Sequence, residues 1–242
     1  MSDVIDKIRN IVPIEQLSSN MYLVNLPLLY TGGDWVGLTI TENPSGTFSI
    51  TDSGNAILNT LSLTDSLEQL HINRYVSKIV NEFSIYSTKE FNLYLKDIQS
   101  EQLHSAMIDV AMASQKLSNI LIDQALQQVQ KDFCDLVEER LKIIFKNKFK
   151  EKVIQNYGVT GNSSKKYSIP FCINLPQKRL IEPTLNNANS IATTHTMFFD
   201  IDKSPEYSRE VVIDDYSKWD TVNIEILKPI CDRIIPYEGI AA

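Results

Sequence analysis

The sequence predicts an α+β protein: an N-terminal antiparallel meander with helices, long central helices, and a C-terminal α/β core. Three observations lead there. Extended runs at 21–30, 35–41 and 47–51 are joined by short turns, Thr31-Gly32-Gly33-Asp34 and Glu42-Asn43-Pro44-Ser45-Gly46. Between Ser100 and Gln155 there is neither Gly nor Pro, which favours uninterrupted helix. From Tyr167 onward, strand-like and helix-like runs alternate.

Taken in order, residues 3–12 read as a short helix, with Val4, Ile5, Ile8 and Ile11 at helical spacing before Pro13. The three strands of the meander follow. Asp52 or Ser53 then caps a helix through Ala56, Ile57 and Leu61. A second helix is expected over 65–83, with Leu67, Leu70, Val76, Ile79 and Val80 apolar, and 85–98 reads as extended. The gap-free stretch holds one or two long helices, with a break expected near 123–131. Its second part, 131–153, is amphipathic through Phe133, Val137, Leu141, Ile144, Phe145 and Phe149. Residues 158–166 then read as a loop, 167–175 as a strand, 176–178 as a turn and 179–184 as a strand. A helix over 186–199, a strand over 210–215, a helix over 220–231 and a strand over 233–237 complete the chain. The change of character places two domains at 1–130 and 131–242.

Composition narrows the function classes. Of 242 residues, 43% are apolar and 22% charged, which is enough apolar material to exclude disorder across the whole chain. With 8 Gly and 9 Pro, collagen-like and linker-like sequences are excluded too. Three Cys without CxxC spacing make no disulfide framework and fit a reducing compartment. Early acids at Asp3 and Asp6 are unlike a leader peptide, and no run is long enough to span a bilayer, so a cytoplasmic location and no membrane partner are expected.

The formal net charge of −7 is unevenly spread. Residues 1–139 hold 8 basic and 18 acidic side chains, and 180–242 hold 5 and 11. Residues 140–179 hold ten basic groups against the single acid Glu151: Arg140, Lys142, Lys146, Lys148, Lys150, Lys152, Lys165, Lys166, Lys178 and Arg179. Such a stretch fits nucleic acid, a nucleoprotein complex or an acidic protein partner. A solvated face paired with acids elsewhere is the competing explanation. Tyr157, Tyr167 and Phe171 border the stretch, where bases or partner side chains can stack.

Short motifs add a resemblance. The meander, its Gly33-Asp34 turn and the Ile50-Thr51-Asp52-Ser53-Gly54 step into a helix resemble the bacterial and prophage domain of unknown function eighteen twenty-eight. The strand–turn–strand ending in Ile181-Glu182-Pro183, the following helix and the strand ending in Asp214-Asp215 resemble domain of unknown function eighteen twenty-nine, often fused to it. The resemblance covers most of the chain and implies a role in phage–host conflict, as a defence accessory or an inhibitor.

The helix–strand–strand–helix–strand order also resembles the core of restriction-endonuclease-like (PD-(D/E)XK) folds. That family holds Mg²⁺ on an Asp and on the acid of a (D/E)-x-K strand, whose Lys helps activate water. Here the Asp position falls at Pro170, the acid at Glu182 and the Lys at Thr184. The resemblance therefore implies a degenerate nuclease that binds without cutting, with no cofactor. An active nuclease is the alternative; it needs Mg²⁺ on Glu182 with Asp200, Asp202 or the helical Glu138 or Glu139. Turn acids serving local hydrogen bonds compete with any role for Asp200, Asp202, Asp214 and Asp215.

His71, His104 and His195 have no ligand spacing, so no metal centre is expected. Asp34 and Asp52 read as turn and cap residues. A purely protein-binding inhibitor with acidic surfaces is a further alternative. A homodimer through Ile108, Met112, Leu117 and Leu121 of the long helices is another expectation.

Overall fold

Alternating apolar residues build the first sheet. In the computed structural model, which describes residues 5, 12–64, 71–201 and 204–241, β1 (Ile14–Gln16), β2 (Met21–Leu29), β3 (Trp35–Glu42) and β4 (Phe48–Thr51) form consecutive antiparallel pairs. With β5 (Tyr86–Ser87) and β6 (Leu93–Ile98), they make a six-stranded antiparallel sheet in the order β1-β2-β3-β4-β6-β5. Tyr22, Val24, Val36, Leu38, Ile40, Phe48 and Ile50 all point to one face and are buried there. Helices α1 (Asn55–Leu63) and α2 (Ile72–Phe83) follow the meander, and α3 (Leu103–Phe145) supplies Leu103, Met107, Val110, Leu117 and Leu121 to the same core.

The chain divides into two units, Met1–Gln127 and Gln128–Ala242, and the division falls inside α3. The second unit holds a mixed five-stranded sheet in the order β11-β10-β9-β8-β7. Strands β7 (Val153–Thr160), β8 (Lys166–Ile173) and β9 (Lys178–Pro183) are antiparallel. Strands β9, β10 (Tyr207–Ile213) and β11 (Arg233–Pro236) are parallel. Phe133, Val137 and Leu141 of α3 pack with Phe171, Ile173, Ile181 and Val212. Helices α5 (Ala188–Asp200) and α6 (Thr221–Leu227) pack with Leu180, Val211 and Ile213 in a separate cluster. The short helix α4 (Phe149–Lys152) lies between α3 and β7.

Several expectations are corrected. No break interrupts 123–131: α3 runs 43 residues, with Gln128 Nε2 donating to Asp132 Oδ1 at 2.7 Å along its surface. The extended run over 85–98 splits at Phe91, whose φ is +66°, into β5 and β6. The segment 153–160, expected as helix end and loop, is strand β7. Only Val153 of it is buried, so an edge strand with a solvated surface carries little hydropathy alternation to read. The three-residue β1 was missed for the same reason. The second helix begins at Ile72; residues 65–70, most of the helix expected over 3–12, and Asp202 lie outside the described residues.

The N-cap position of α1 is Gly54, without a side-chain cap, and not the expected Asp52 or Ser53; Asp52 acts from two residues earlier. Its buried carboxylate accepts from the amides of Gly54 (3.1 Å), Ala56 (3.3 Å) and Leu93 (2.8 Å) and from Ser114 Oγ (2.8 Å). It thus ties β4, α1, β6 and α3 together. Burial pushes its carboxyl above the usual range, against the pull of those four donors. Gly54 is required beside it: φ is +79°, and a Cβ would sit 2.7 Å from Asn92 Oδ1.

Candidate nucleic-acid interface

The basic stretch separates into three groups. The first gathers where α3 ends. Ile144, Phe145 and Phe149 pack against the core of the second unit, which leaves the intervening positions to solvent. Lys146 closes α3 with φ +46°, a 3₁₀ turn spans Lys146–Lys148, and α4 follows. Lys142, Lys146, Lys148 and Lys150 are exposed and Lys152 is half-buried. Lys142 pairs with Glu138 one turn earlier and lies 5.7 Å from the Phe149 ring centroid. Among the described residues, Lys146, Lys148, Lys150 and Lys152 make no ion pair with a carboxylate, so four cations stand within seven positions.

The second group is Lys165 and Lys166, at the turn between β7 and β8. Val153 pairs with Ile173 and Thr160 with Lys166, so this group is seven residues along the hairpin from Val153, about 23 Å of strand. Lys165 Nζ lies 5.0 Å from the Tyr167 ring centroid. The hairpin bends on the way. Asn156 has φ +52°, its neighbour Pro170 offers no amide hydrogen to the ladder, and Tyr157, Val159, Tyr167 and Ile169 join the α5 cluster.

The third group is engaged inside the fold. Arg179 grips Glu210 with Nε at 2.9 and 3.0 Å and Nη2 at 2.9 Å, a bidentate fork with Glu210 buried. Arg140 donates to the Glu238 carbonyl at 3.2 Å. Lys178 donates to Tyr157 Oη at 2.9 Å. These three are scaffold contacts.

Among the described residues, the acids considered for a nuclease are not gathered into one set. Asp200 ends α5 and fastens the hairpin tip: it accepts from Ser163 N (2.8 Å), Ser163 Oγ (2.5 Å) and Tyr167 Oη (2.9 Å). Those donors hold its carboxyl below the usual range. Glu138 faces Lys142. Asp214 accepts from Trp219 Nε1 at 2.8 Å, and Asp215 caps the turn at Ser217. Among the described residues no three His, Cys, Asp or Glu side chains cluster as metal ligands.

Glu182 stands apart. Its Oε2 is enclosed without a hydrogen-bond partner, and burial pushes its carboxyl up to about 8. α3 and α5 bond to the residues that follow it in the chain. Gln130 Nε2 donates to the Pro183 carbonyl at 2.8 Å, Ser190 Oγ donates to Gln130 Oε1 at 3.0 Å, and Thr184 Oγ1 and Thr194 Oγ1 lie 2.9 Å apart. The Cys134 thiol is close enough for Glu182 to help burial raise it to about 11. Gln130 was missed as a neighbour because an amide inside a long helix carries no pattern. The spacing from Glu182 back to α3 is a tertiary fact.

In the dimer reading, Leu117 and Leu121 are fully buried core residues of the first unit, whereas Ile108 and Met112 are 38% and 45% exposed. No helix among the described residues is long and apolar enough to cross a membrane.

Comparisons with known proteins add little to this geometry. No family model matches the chain. No curated protein matches it either. Among solved structures, part of the chain is similar to the protein of unknown function AF1548, at 13% identity and a TM-score of 0.31. That alignment covers 43% of this chain and 60% of the other.

Proposed function

We propose that this protein binds nucleic acid and does not cut it, with Lys146, Lys148, Lys150 and Lys152 as the principal contacts. The observation that carries this is the cluster itself: four cations within seven residues, held on a turn and a short helix anchored by Phe145 and Phe149. A phosphate backbone is the polyanion such spacing suits, and each lysine that meets a phosphate releases a counterion. Nothing at the cluster reads bases, so affinity without sequence preference is expected.

The absence of cutting is argued from the residues around Glu182. A carboxyl that keeps its proton at neutral pH is a poor partner for Mg²⁺, which takes charged oxygen ligands. The β8–β9 ladder ends at Phe171 and Ile181, with Pro170 next along β8, and Thr184 stands two residues on; neither Pro170 nor Thr184 supplies a carboxylate or an ammonium. The residues present do not fit a hard divalent cation. The helix, three-stranded meander, helix and parallel strand of 128–213 support kinship with restriction-endonuclease-like folds. A degenerate member, acting in phage–host conflict in the cytoplasm, is the corresponding proposal.

Fluorescence anisotropy with labelled duplex DNA, single-stranded DNA and RNA tests it. Wild-type protein should bind at least one of them. The triple variant K146E/K148E/K150E, changed only at exposed positions, should lose 100-fold or more. Unchanged affinity in that variant contradicts the proposal. So does Mg²⁺-dependent cleavage that disappears in Glu182→Ala.

A further inference from the structure

The β7–β8 hairpin reaches past the sheet it belongs to. Strand β9 joins β8 only at Phe171, Cys172 and Ile173, whereas the β7–β8 ladder runs on to Thr160 and Lys166. The outer half of the hairpin, 157–160 with 166–169, is therefore a two-stranded ribbon, with no third strand beside it among the described residues. Side chains alternate across such a ribbon. Tyr157, Val159, Tyr167 and Ile169 turn to the α5 cluster. Gly158, Thr160, Lys166 and Ser168 take the opposite face, and all four are exposed.

That face is bare. Gly158 and Ser168 are register partners, as are Thr160 and Lys166. Among the described residues, the Thr160 and Ser168 hydroxyls and the Lys166 ammonium make no hydrogen bond or ion pair. Gly158 is the anomaly. Its backbone lies outside the left-handed region, and a Cβ there would meet nothing within 4 Å. Neither conformation nor packing within the chain requires glycine at this position. Glycine weakens a strand, and close approach of a ligand to the backbone is one reason for a strand to keep it.

The bare face also lies on a particular side of the sheet. Phe171, Ile173, Ile181 and Val212 pack with α3, whereas Cys172, Leu180, Val211 and Ile213 pack with α5 and α6. Turned away from α5, the bare face stands on the α3 side, where Phe145 and Phe149 anchor the lysine cluster. The neighbouring aromatic rings are engaged elsewhere: Tyr157 accepts from Lys178, Tyr167 donates to Asp200, and Phe171 is buried.

We propose that the outer face of this ribbon is a second nucleic-acid contact and that the ligand is a duplex. The inference rests on the reading of the lysine cluster as the first contact. A phosphate backbone crossing from the cluster comes close to the main chain at Gly158 and accepts from Thr160, Ser168 and Lys166. Such contacts position a duplex without reading its bases. Single strands are held by stacking bases on aromatic side chains, and this face carries none.

Fluorescence anisotropy with a short duplex of DNA, one of RNA, and oligo(dT) of the same length decides it, with thermal unfolding of each variant alongside. Gly158→Val places its methyl groups in open space, so its Tm should equal or exceed that of wild type. Its affinity for the better-bound duplex should nevertheless fall about tenfold or more, as for loss of a hydrogen bond to a charged group. Lys166→Glu, at an exposed side chain without partners, should lose a similar amount. Either duplex should bind more tightly than oligo(dT). Wild-type affinity in Gly158→Val overturns the proposal; if K146E/K148E/K150E still loses binding, the lysine cluster stands without it. Should Gly158→Val lower the Tm, Lys166→Glu decides, and wild-type affinity there overturns the proposal equally. Tightest binding to oligo(dT) overturns the duplex assignment. No binding of any of the three probes by wild-type protein overturns this inference together with the reading of the cluster.

Discussion

At the scale of single residues, Glu182 has the clearest consequence. Its folded-state carboxyl titrates near 8, above an ordinary value near 4.5. A raised acid pKa means the folded protein keeps a proton that the unfolded chain releases. Stability therefore falls as pH rises from about 4.5 through 8. The full cost at pH 7 is about 3 kcal/mol. Glu182→Gln should be nearly neutral at pH 5 and stabilising by up to that amount at pH 7–8, as measured by urea melts across pH. A difference between the two proteins that stays constant with pH contradicts the account of Glu182. The sequence read this residue as part of a strand, Leu180-Ile181-Glu182-Pro183. It did not show the burial, because the helices beside this strand are distant in sequence: Gln130 of α3 bonds the neighbouring Pro183 carbonyl and Cys134 of α3 lies near Glu182. The sequence read Asp52 as a helix cap, whereas the N-cap is Gly54; the Asp52 bonds to Leu93 and Ser114 are long-range and left no local trace.

At the scale of elements, α3 and the β7–β8 hairpin mark the limits of pattern reading. The missing Gly and Pro announced a long helix correctly, while the polar run Asp123 to Lys131 suggested a break that the backbone does not make. Exposed polar residues are compatible with continuous helix, so polarity alone was a poor stop signal. Continuity has a testable energy: Gln127→Gly at an exposed position should cost about 1 kcal/mol and Gln127→Pro about 3 kcal/mol or more in denaturant unfolding. A tolerated proline would restore the break.

The hairpin failed differently, since β7 is an edge strand whose side chains mostly face water. Its tip is held to α5 by Asp200, so Asp200→Ala should speed amide exchange at Ser163 and the turn while leaving β9 and β10 protected. Because the folded Asp200 carboxyl sits below its ordinary 3.8, its contribution is present above that pH and fades as pH falls further. Unchanged exchange at Ser163 contradicts its role as the fastener.

At the scale of the whole molecule, the α+β class was legible because both signals were strong: two turn-bounded strand pairs early, one gap-free helical stretch in the middle. The order of elements in 128–242 was also readable, apart from β7. The charge partition was visible in sequence too, but its geometry was not. Of ten basic residues in 140–179, Arg140, Lys178 and Arg179 serve the scaffold, Lys165 and Lys166 sit at the hairpin tip, Lys142 pairs with Glu138, and Lys146, Lys148, Lys150 and the half-buried Lys152 remain. The exposed lysines without a carboxylate partner among the described residues fall together on the turn and short helix that follow α3.

The measurement that bears most directly on binding through that cluster is the salt dependence of affinity. The logarithm of the association constant for duplex DNA should fall linearly with the logarithm of salt concentration, with a slope of about −0.9 for each phosphate neutralised. Four engaged lysines predict a slope of roughly −3 to −4. In K146E/K148E/K150E, the slope should flatten to about −1 or less. A wild-type slope near zero, or a triple variant whose slope matches wild type, would contradict the assignment of this lysine cluster as the nucleic-acid contact.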